Sequence, residues 1–205
     1  MTSIRSALLA IALTFGINAP ASAAVIFMDD FNTENGGAGV LNYNGFANWT
    51  VSGGTVDLIG NGFFDFLPGN GLFVDMDGST GNAGGIETNF SFNLLPGTLY
   101  TLSFDLAGNH RNTAAESVTV EVGGGSVFSE IFSLGQNDPF TNISRQFSVG
   151  ALTSATIGFI GAGGDNVGML LDNVMLATVE VPEPASLALL GAGLMAVPLL
   201  RRRRR

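Results

Sequence analysis

Between Val25 and Val179 apolar and polar residues alternate in several stretches, the period of strands with one face buried. Ile86, Thr88, Phe90 and Phe92 alternate with Glu87, Asn89 and Ser91, and Tyr100, Leu102, Phe104 and Leu106 alternate with Thr101, Ser103 and Asp105. Val118, Val120 and Val122 do the same with Ser117, Thr119 and Glu121. Shorter strands are expected around Phe27, Trp49 to Val51, Val56 to Ile59, Leu72 to Met76, Val127 to Phe132, Ile143 to Val149 and Ala155 to Ile160. Val167 to Ala177 is a longer apolar run and reads as a central strand. Glycine and asparagine punctuate the whole stretch, and Leu95-Pro96-Gly97-Thr98 is a turn before a strand. About ten short strands separated by turns predict an all-β fold, an antiparallel β-sandwich of jelly-roll type. No repeat of fixed period is visible, which argues against a solenoid or propeller.

The two ends break this pattern. Met1 to Ala23 has a positive start at Arg5, an apolar run from Ala7 to Ile17, and the small-residue sequence Ala21-Ser22-Ala23. That is the layout of a secretory signal peptide, handled by the Sec machinery and signal peptidase, with the mature chain starting at Ala24. At the other end, Val181-Pro182-Glu183-Pro184 is followed by the uncharged stretch Ala185 to Leu200 and then by Arg201, Arg202, Arg203, Arg204 and Arg205. A helix over Ala185 to Leu200 spans about 24 Å, somewhat less than a ~30 Å hydrocarbon core, and arginine snorkelling absorbs the deficit. The expectation is a transmembrane helix with its arginines cytoplasmic and the domain outside. Pro182 and Pro184 keep the preceding chain extended, as a processing enzyme requires. The expected organisation is therefore a signal peptide over 1–23, a sandwich over 24–179 and a sorting tail over 180–205.

Charge changes the picture only after it is divided among these parts. The chain has 205 residues, no cysteine and no lysine. Disulfides and Cys-ligated metals are excluded, while export remains compatible. Between Ala24 and Glu180 sixteen carboxylates face only Arg111 and Arg145, a net charge of −14. Nucleic acid is excluded as a partner, because phosphate binding needs a basic surface. Cations and neutral glycans are easier to accommodate, and an acidic surface also keeps an exported domain soluble.

Candidate chemistry is sparse. His110 is the sole histidine, no G-x-S-x-G elbow accompanies it, and Asn109-His110-Arg111-Asn112 reads as a solvated loop. Asp75 and Asp77 point the same way from a strand end, either as hard oxygen ligands or as part of an Asx-rich turn; the following residues fail the EF-hand pattern. Asp172 shares parity with Leu170, Val174 and Leu176, so a carboxylate is expected in the core, where it must be hydrogen-bonded, paired or coordinated. Phe63 and Phe64 sit in the aromatic loop Asn61 to Gly69, which either stacks on sugar faces or plugs the sandwich; Trp49 and Tyr43 share that ambiguity. Asn48, Asn89 and Asn142 head N-x-[ST] sequons. No constellation of catalytic residues stands out, so no enzyme is expected.

Two resemblances sharpen these expectations. The order of Val181-Pro182-Glu183-Pro184, apolar helix and arginine cluster closely resembles the PEP-CTERM sorting signal of exopolysaccharide-producing Gram-negative bacteria. The resemblance implies recognition of that motif by the membrane protease exosortase, transient anchoring in the inner membrane, then transfer to the outer envelope or release. The body is similar to galactose-binding-like and carbohydrate-binding-module jelly rolls at Asp30-Phe31-Asn32, Leu99 to Leu106, and Leu170-Leu171-Asp172-Asn173-Val174. In such families an aspartate at the position of Asp172 helps hold a structural calcium ion beside the first strand, which implies Asp30 and Glu34 as its companions. The function expected is that of an exported, non-catalytic envelope or matrix protein associated with exopolysaccharide. The alternatives are a carbohydrate-binding module with a defined pocket, marked by exposed Trp49, Phe63 or Phe64, and a glycan-active enzyme, marked by two carboxyls facing across a cleft.

Overall fold

The structure is a computed structural model that describes residues 24–111 and 115–179. The signal peptide expected over 1–23 and the sorting tail over 180–205, with its apolar stretch, lie outside the described residues. Among the described residues no helix is long and apolar enough to cross a membrane.

Thirteen strands are described: β1 (Ala24–Asp29), β2 (Trp49–Ser52), β3 (Asp57–Gly60), β4 (Leu72–Asp75), β5 (Gly85–Thr88), β6 (Phe92–Leu94), β7 (Leu99–Ala107), β8 (Glu116–Val122), β9 (Phe128–Leu134), β10 (Thr141–Phe147), β11 (Thr153–Ala155), β12 (Ile157–Ala162) and β13 (Leu170–Val179). One sheet runs β10-β7-β13-β4-β3, with β1 also on β13. A second runs β2-β5-β12-β8-β9, and β6 pairs β11 separately. Every ladder is antiparallel. The apolar run near the C-terminal end of the domain is central, as expected: β13 has β7 on one side, with β4 and β1 on the other.

The inward faces of the two large sheets meet in one core. Leu102, Phe104 and Leu106 of β7 and Val74 of β4 come from the first; Val118 and Val120 of β8 and Phe159 of β12 come from the second. A chain of rings crosses between them. Phe27 lies 5.7 Å from Trp49, Trp49 lies 6.0 Å from Phe159, Phe159 lies 5.3 Å from Phe104 and Phe104 lies 5.4 Å from Phe132. Most of these contacts are edge-to-face, the arrangement favoured by the ring quadrupoles.

Two features depart from simple alternation. The stretch Ile86 to Phe92 does not form one strand. Ile86 and Thr88 end β5, while Phe92 starts β6 in a different sheet. Between them Thr88 Oγ1 donates to the Phe90 carbonyl, and Asn89 donates to Asn48 and Ala47 carbonyls, turning the chain. The first sheet is also buried on both faces near β3 and β4. Ile59, Phe73, Ala107 and Leu170 point away from the main core and form a second apolar cluster, covered by Phe63, Phe66, Leu67 and Phe140. The aromatic loop after β3 thus lies as a cover on the sheet, which leaves Phe64 52% exposed.

Phe73 has no exposed surface and packs on Phe140 at 5.5 Å, so Phe73→Ala should lower unfolding free energy by about 3–5 kcal/mol in a urea titration. Phe64→Ala, at the exposed tip of the same cover, should cost less than about 1 kcal/mol.

Candidate functional site

The outward face of the second sheet carries a groove of about 250 Å³, lined by Ser52, Gly85, Glu87, Glu121, Gly158 and Ile160 among others. Strand parity places these side chains. On β8, Val118, Val120 and Val122 are buried, so Glu121 faces out; on β5, Ile86 is buried, so Glu87 faces out. The register then sets them in one row: Glu87 opposes Gly158, and Gly158 opposes Glu121. Two strand spacings separate the glutamate Cα atoms, roughly 10 Å. The next row sets Gly85 beside Ile160, Ile160 beside Thr119 and Thr119 beside Ile131. Ile160 is 47% exposed and Ile131 70% exposed, so an aliphatic shelf runs beside the acidic row.

Each glutamate is braced by one hydroxyl. Thr156 Oγ1 bonds Glu87 Oε1, and Ser129 Oγ donates to Glu121 Oε1 at 3.4 Å. The wall beyond Glu121 is the turn Gly123-Gly124-Gly125, with all three residues at positive φ (62°, 58° and 82°), a path that only glycine follows without strain. The floor at Gly158 is open: a side chain begun there would meet nothing nearer than the Ile86 carbonyl oxygen, 3.9 Å away.

The residues singled out in the sequence lie elsewhere. Trp49 offers no exposed ring for a sugar. It is buried between Phe27 and Phe159, and its indole N–H donates to Asp29 Oδ2 at 2.9 Å. Phe63 packs under the cover loop, and Phe64 stands exposed on it, both on the first sheet and away from the groove-lining strands. The three residues implied for calcium are not brought together as ligands. Glu34 is buried with both oxygens engaged, accepting from the Ala47 N–H at 2.9 Å and the Tyr43 hydroxyl at 3.2 Å. Asp30 accepts from the Asn32 N–H in an Asx turn. Among the described residues no group of three or more His, Cys, Asp or Glu side chains is arranged to hold a metal ion. The sorting residues Val181 to Pro184 and the arginine cluster lie outside the described residues.

Asp172 is buried, as its parity requires, but it belongs to a bulge. The register between β13 and β7 shifts after Asp172, and Asn173 takes a positive φ of 50°. Asp172 Oδ1 accepts from the Asn173 N–H, and Asn173 Nδ2 reaches Asp105, which stands directly opposite Asp172. Burial, then Asp105, Asp30 and Asp29, push the Asp172 carboxyl up to about 7, against the pull of the Asn173 N–H.

At the end of β4, Asp75 is bound by Arg111 and by the Asp77 and Gly168 N–H groups. Arg111 also donates to the Asn166 carbonyl and lies over the Phe66 ring, 5.1 Å from its centre. This cation fastens three loops, so the Asp75–Asp77 pair acts as a turn and clasp. Burial raises the Asp75 carboxyl to about 7 even though Arg111 pulls it down. His110, beside this clasp, contacts the Asp138 carbonyl at 3.1 Å through Nε2.

Asp172 contributes one part of the pH dependence of stability, and Asp75, raised likewise, contributes another. A carboxyl raised to about 7 holds its proton in the folded chain where the unfolded chain releases it near its ordinary 3.8. The stability this supplies is complete below that lower value and is lost as pH rises through about 7. Asp172→Asn should therefore raise the melting temperature at pH 8 and change it little near pH 4, with or without a chelator. A calcium-dependent rise in the wild type that the substitution removed would show the carboxyl answering to a cation instead.

A comparison with protein-family models matches residues 180–205 to the PEP-CTERM protein-sorting motif. That motif marks an exported protein sorted through the membrane and processed by exosortase, a membrane protein. A comparison with curated protein sequences finds no match. In fold, the chain is similar to a xylan-binding domain from CBM 22, with 15% identity and a TM-score of 0.50 over 77% of this chain and 97% of that one. It is similar to the K3 adhesin domain of Lys-gingipain from Porphyromonas gingivalis, with 18% identity and a TM-score of 0.50 over 76% of this chain and 99% of that one. The CBM22-1 xylan-binding domain of Paenibacillus barcinonensis Xyn10C aligns at 14% identity and a TM-score of 0.48, over 80% of this chain and 99% of that one. The chain thus joins a PEP-CTERM sorting motif to an antiparallel sandwich similar in fold to a xylan-binding domain and an adhesin domain.

Proposed function

We propose that this is a non-catalytic, saccharide-binding protein of the outer envelope or extracellular matrix, freed from its membrane tail near Val181 to Pro184 and held to exopolysaccharide through the groove on its second sheet. The observation that carries this reading is the glycine at the centre of the groove. Gly158 sits in a strand interior, where glycine weakens a sheet and often marks close approach by a ligand. Neither packing nor backbone geometry calls for it: its nearest neighbour is 3.9 Å away and its φ is ordinary. Ser52, Glu87 and Glu121 around it present hydrogen-bonding groups to a polyhydroxylated ligand.

Glu87 and Glu121 flank the groove as two carboxyls across a cleft, the arrangement that marks glycosidic catalysis. That chemistry needs the pair in unlike environments, one holding a proton and one not. Here both stand on one open sheet face, each with a single hydroxyl partner. The pair is suited to contacts with a ligand.

Two experiments test the reading. Gly158→Leu should fill the groove, leave the melting temperature unchanged or slightly raised, and abolish retention of the exported protein on its exopolysaccharide; retention as strong as wild type would remove the groove from the account. Replacing Pro182, Glu183 and Pro184 with alanine should leave a larger species in the inner membrane. Unchanged size and unchanged release would sink the processing step.

A further inference from the structure

We propose that the groove selects a glycan carrying free amino groups, a hexosamine chain whose nitrogens are at least partly unacetylated. This rests on the saccharide-binding reading above and names the chemical class of its ligand.

The charged side chains that line the groove are both acidic. Glu87 and Glu121 each have one oxygen bonded to a hydroxyl, and the second oxygen has no protein partner among the described residues. The two cations of the domain are engaged elsewhere. Arg145 is paired with Glu130 through both its Nε and Nη2, and Arg111 is fastened to Asp75. No protein cation therefore balances the row, and an ammonium group lying in it gains two charge-assisted partners. A uronate, sulfate or phosphate on the same sugar would meet repulsion there, and the field of a domain carrying −14 repels such polymers before contact.

The lack of a ring points the same way. Neutral sugars gain much of their binding energy by laying an apolar face on an aromatic side chain. The one aromatic residue lining this groove, Phe159, has no exposed surface because its ring belongs to the core. Ile160 and Ile131 offer an aliphatic shelf for the carbon face of a pyranose, without the electronic attraction of a ring. Charge is then the main source of affinity, which a free amine supplies and an acetamide does not. A cavity of about 250 Å³ falls below the ~300–1,000 Å³ range of drug-sized ligand sites and suits a sugar unit within a chain.

The test uses the exported protein and four soluble probes: glucosamine oligomers, the same oligomers fully N-acetylated, a uronate oligomer, and oligolysine matched in charge to the first. Calorimetric titration should show binding to the glucosamine oligomers, at least about fivefold weaker binding to the acetylated ones, and none to the uronate. Glu87→Gln and Glu121→Gln should each weaken binding of the amine form by about fivefold with unchanged melting temperature, as should raising salt to about 0.5 M. Equal binding of free and acetylated oligomers, blocked by Gly158→Leu but untouched by either glutamine variant, would overturn the amine inference and leave the groove reading standing. Oligolysine binding as tightly as the glucosamine oligomers would also overturn it. Binding of none of the glycans would overturn both.

Discussion

Phe104 and Phe159 meet edge to face across the middle of the sandwich, and their contact fixes the parity of both sheets. Strand side chains alternate with a period of two, so the inward ring of Phe159 forces Gly158 and Ile160 outward. The ladders on either side of β12 carry that choice to its neighbours, setting Ile86 and Val120 inward and Glu87 and Glu121 outward. A slip of one residue in β12 would bury Gly158 and expose Phe159, removing both the core ring and the groove floor. The large cost of exposing an aromatic ring therefore protects the arrangement of the site.

The second constraint is acid without base. With two arginines in the domain, the buried carboxylates are satisfied mostly by amide and hydroxyl hydrogens. Asp57 accepts from the N–H groups of Asn42 and Ser79 and from the Ser79 hydroxyl. Asp77 Oδ2 accepts from Gly164 and Asp165, and Asp29 from Phe31, Asn48 and Trp49. Each of these aspartates pins a loop whose N–H groups have no strand partner, which is why so glycine-rich a chain holds its connections in place. The pairing with backbone leaves the surface acidic, and the groove inherits that sign.

Some of this was legible in the chain before any coordinate. Leu99 to Leu106 and Ser117 to Val122 read as half-buried strands because each is one continuous strand with one face on the core. Val167 to Ala177 read as central because both its edges are paired. The outward direction of Glu87 and Glu121 was equally readable, since both fall at polar positions of clear alternations. Their adjacency was not: it arises from β12 lying between β5 and β8, a pairing made by residues far apart in sequence that no local signal encodes. Trp49 admitted both readings because an indole has a large apolar body and one polar hydrogen, and a half-buried Asp29 satisfies that hydrogen as well as solvent would. Glu34 admitted two readings, because a carboxylate near the first strand serves equally as a ligand or as an acceptor, and the fold gives it the Ala47 N–H and the Tyr43 hydroxyl.

Glycines show how packing separates from function in such a sheet. At Gly161 a side chain would begin 2.3 Å from the Met76 carbonyl oxygen, and at Gly85 it would begin 3.1 Å from that of Phe159. Those glycines are demanded by neighbouring backbone. At Gly158 the nearest atom is 3.9 Å away, yet the position pays the entropic penalty of glycine in a strand, roughly 0.5–1 kcal/mol relative to alanine. Stability alone would favour a branched side chain there, continuing the shelf of Ile160 and Ile131 across the row and screening Glu87 from Glu121. Leaving the position bare keeps both carboxylates open to a chain lying between them. The groove thus consists of two acids at polar positions that any half-exposed strand tolerates, made into one site by the side chain that Gly158 lacks.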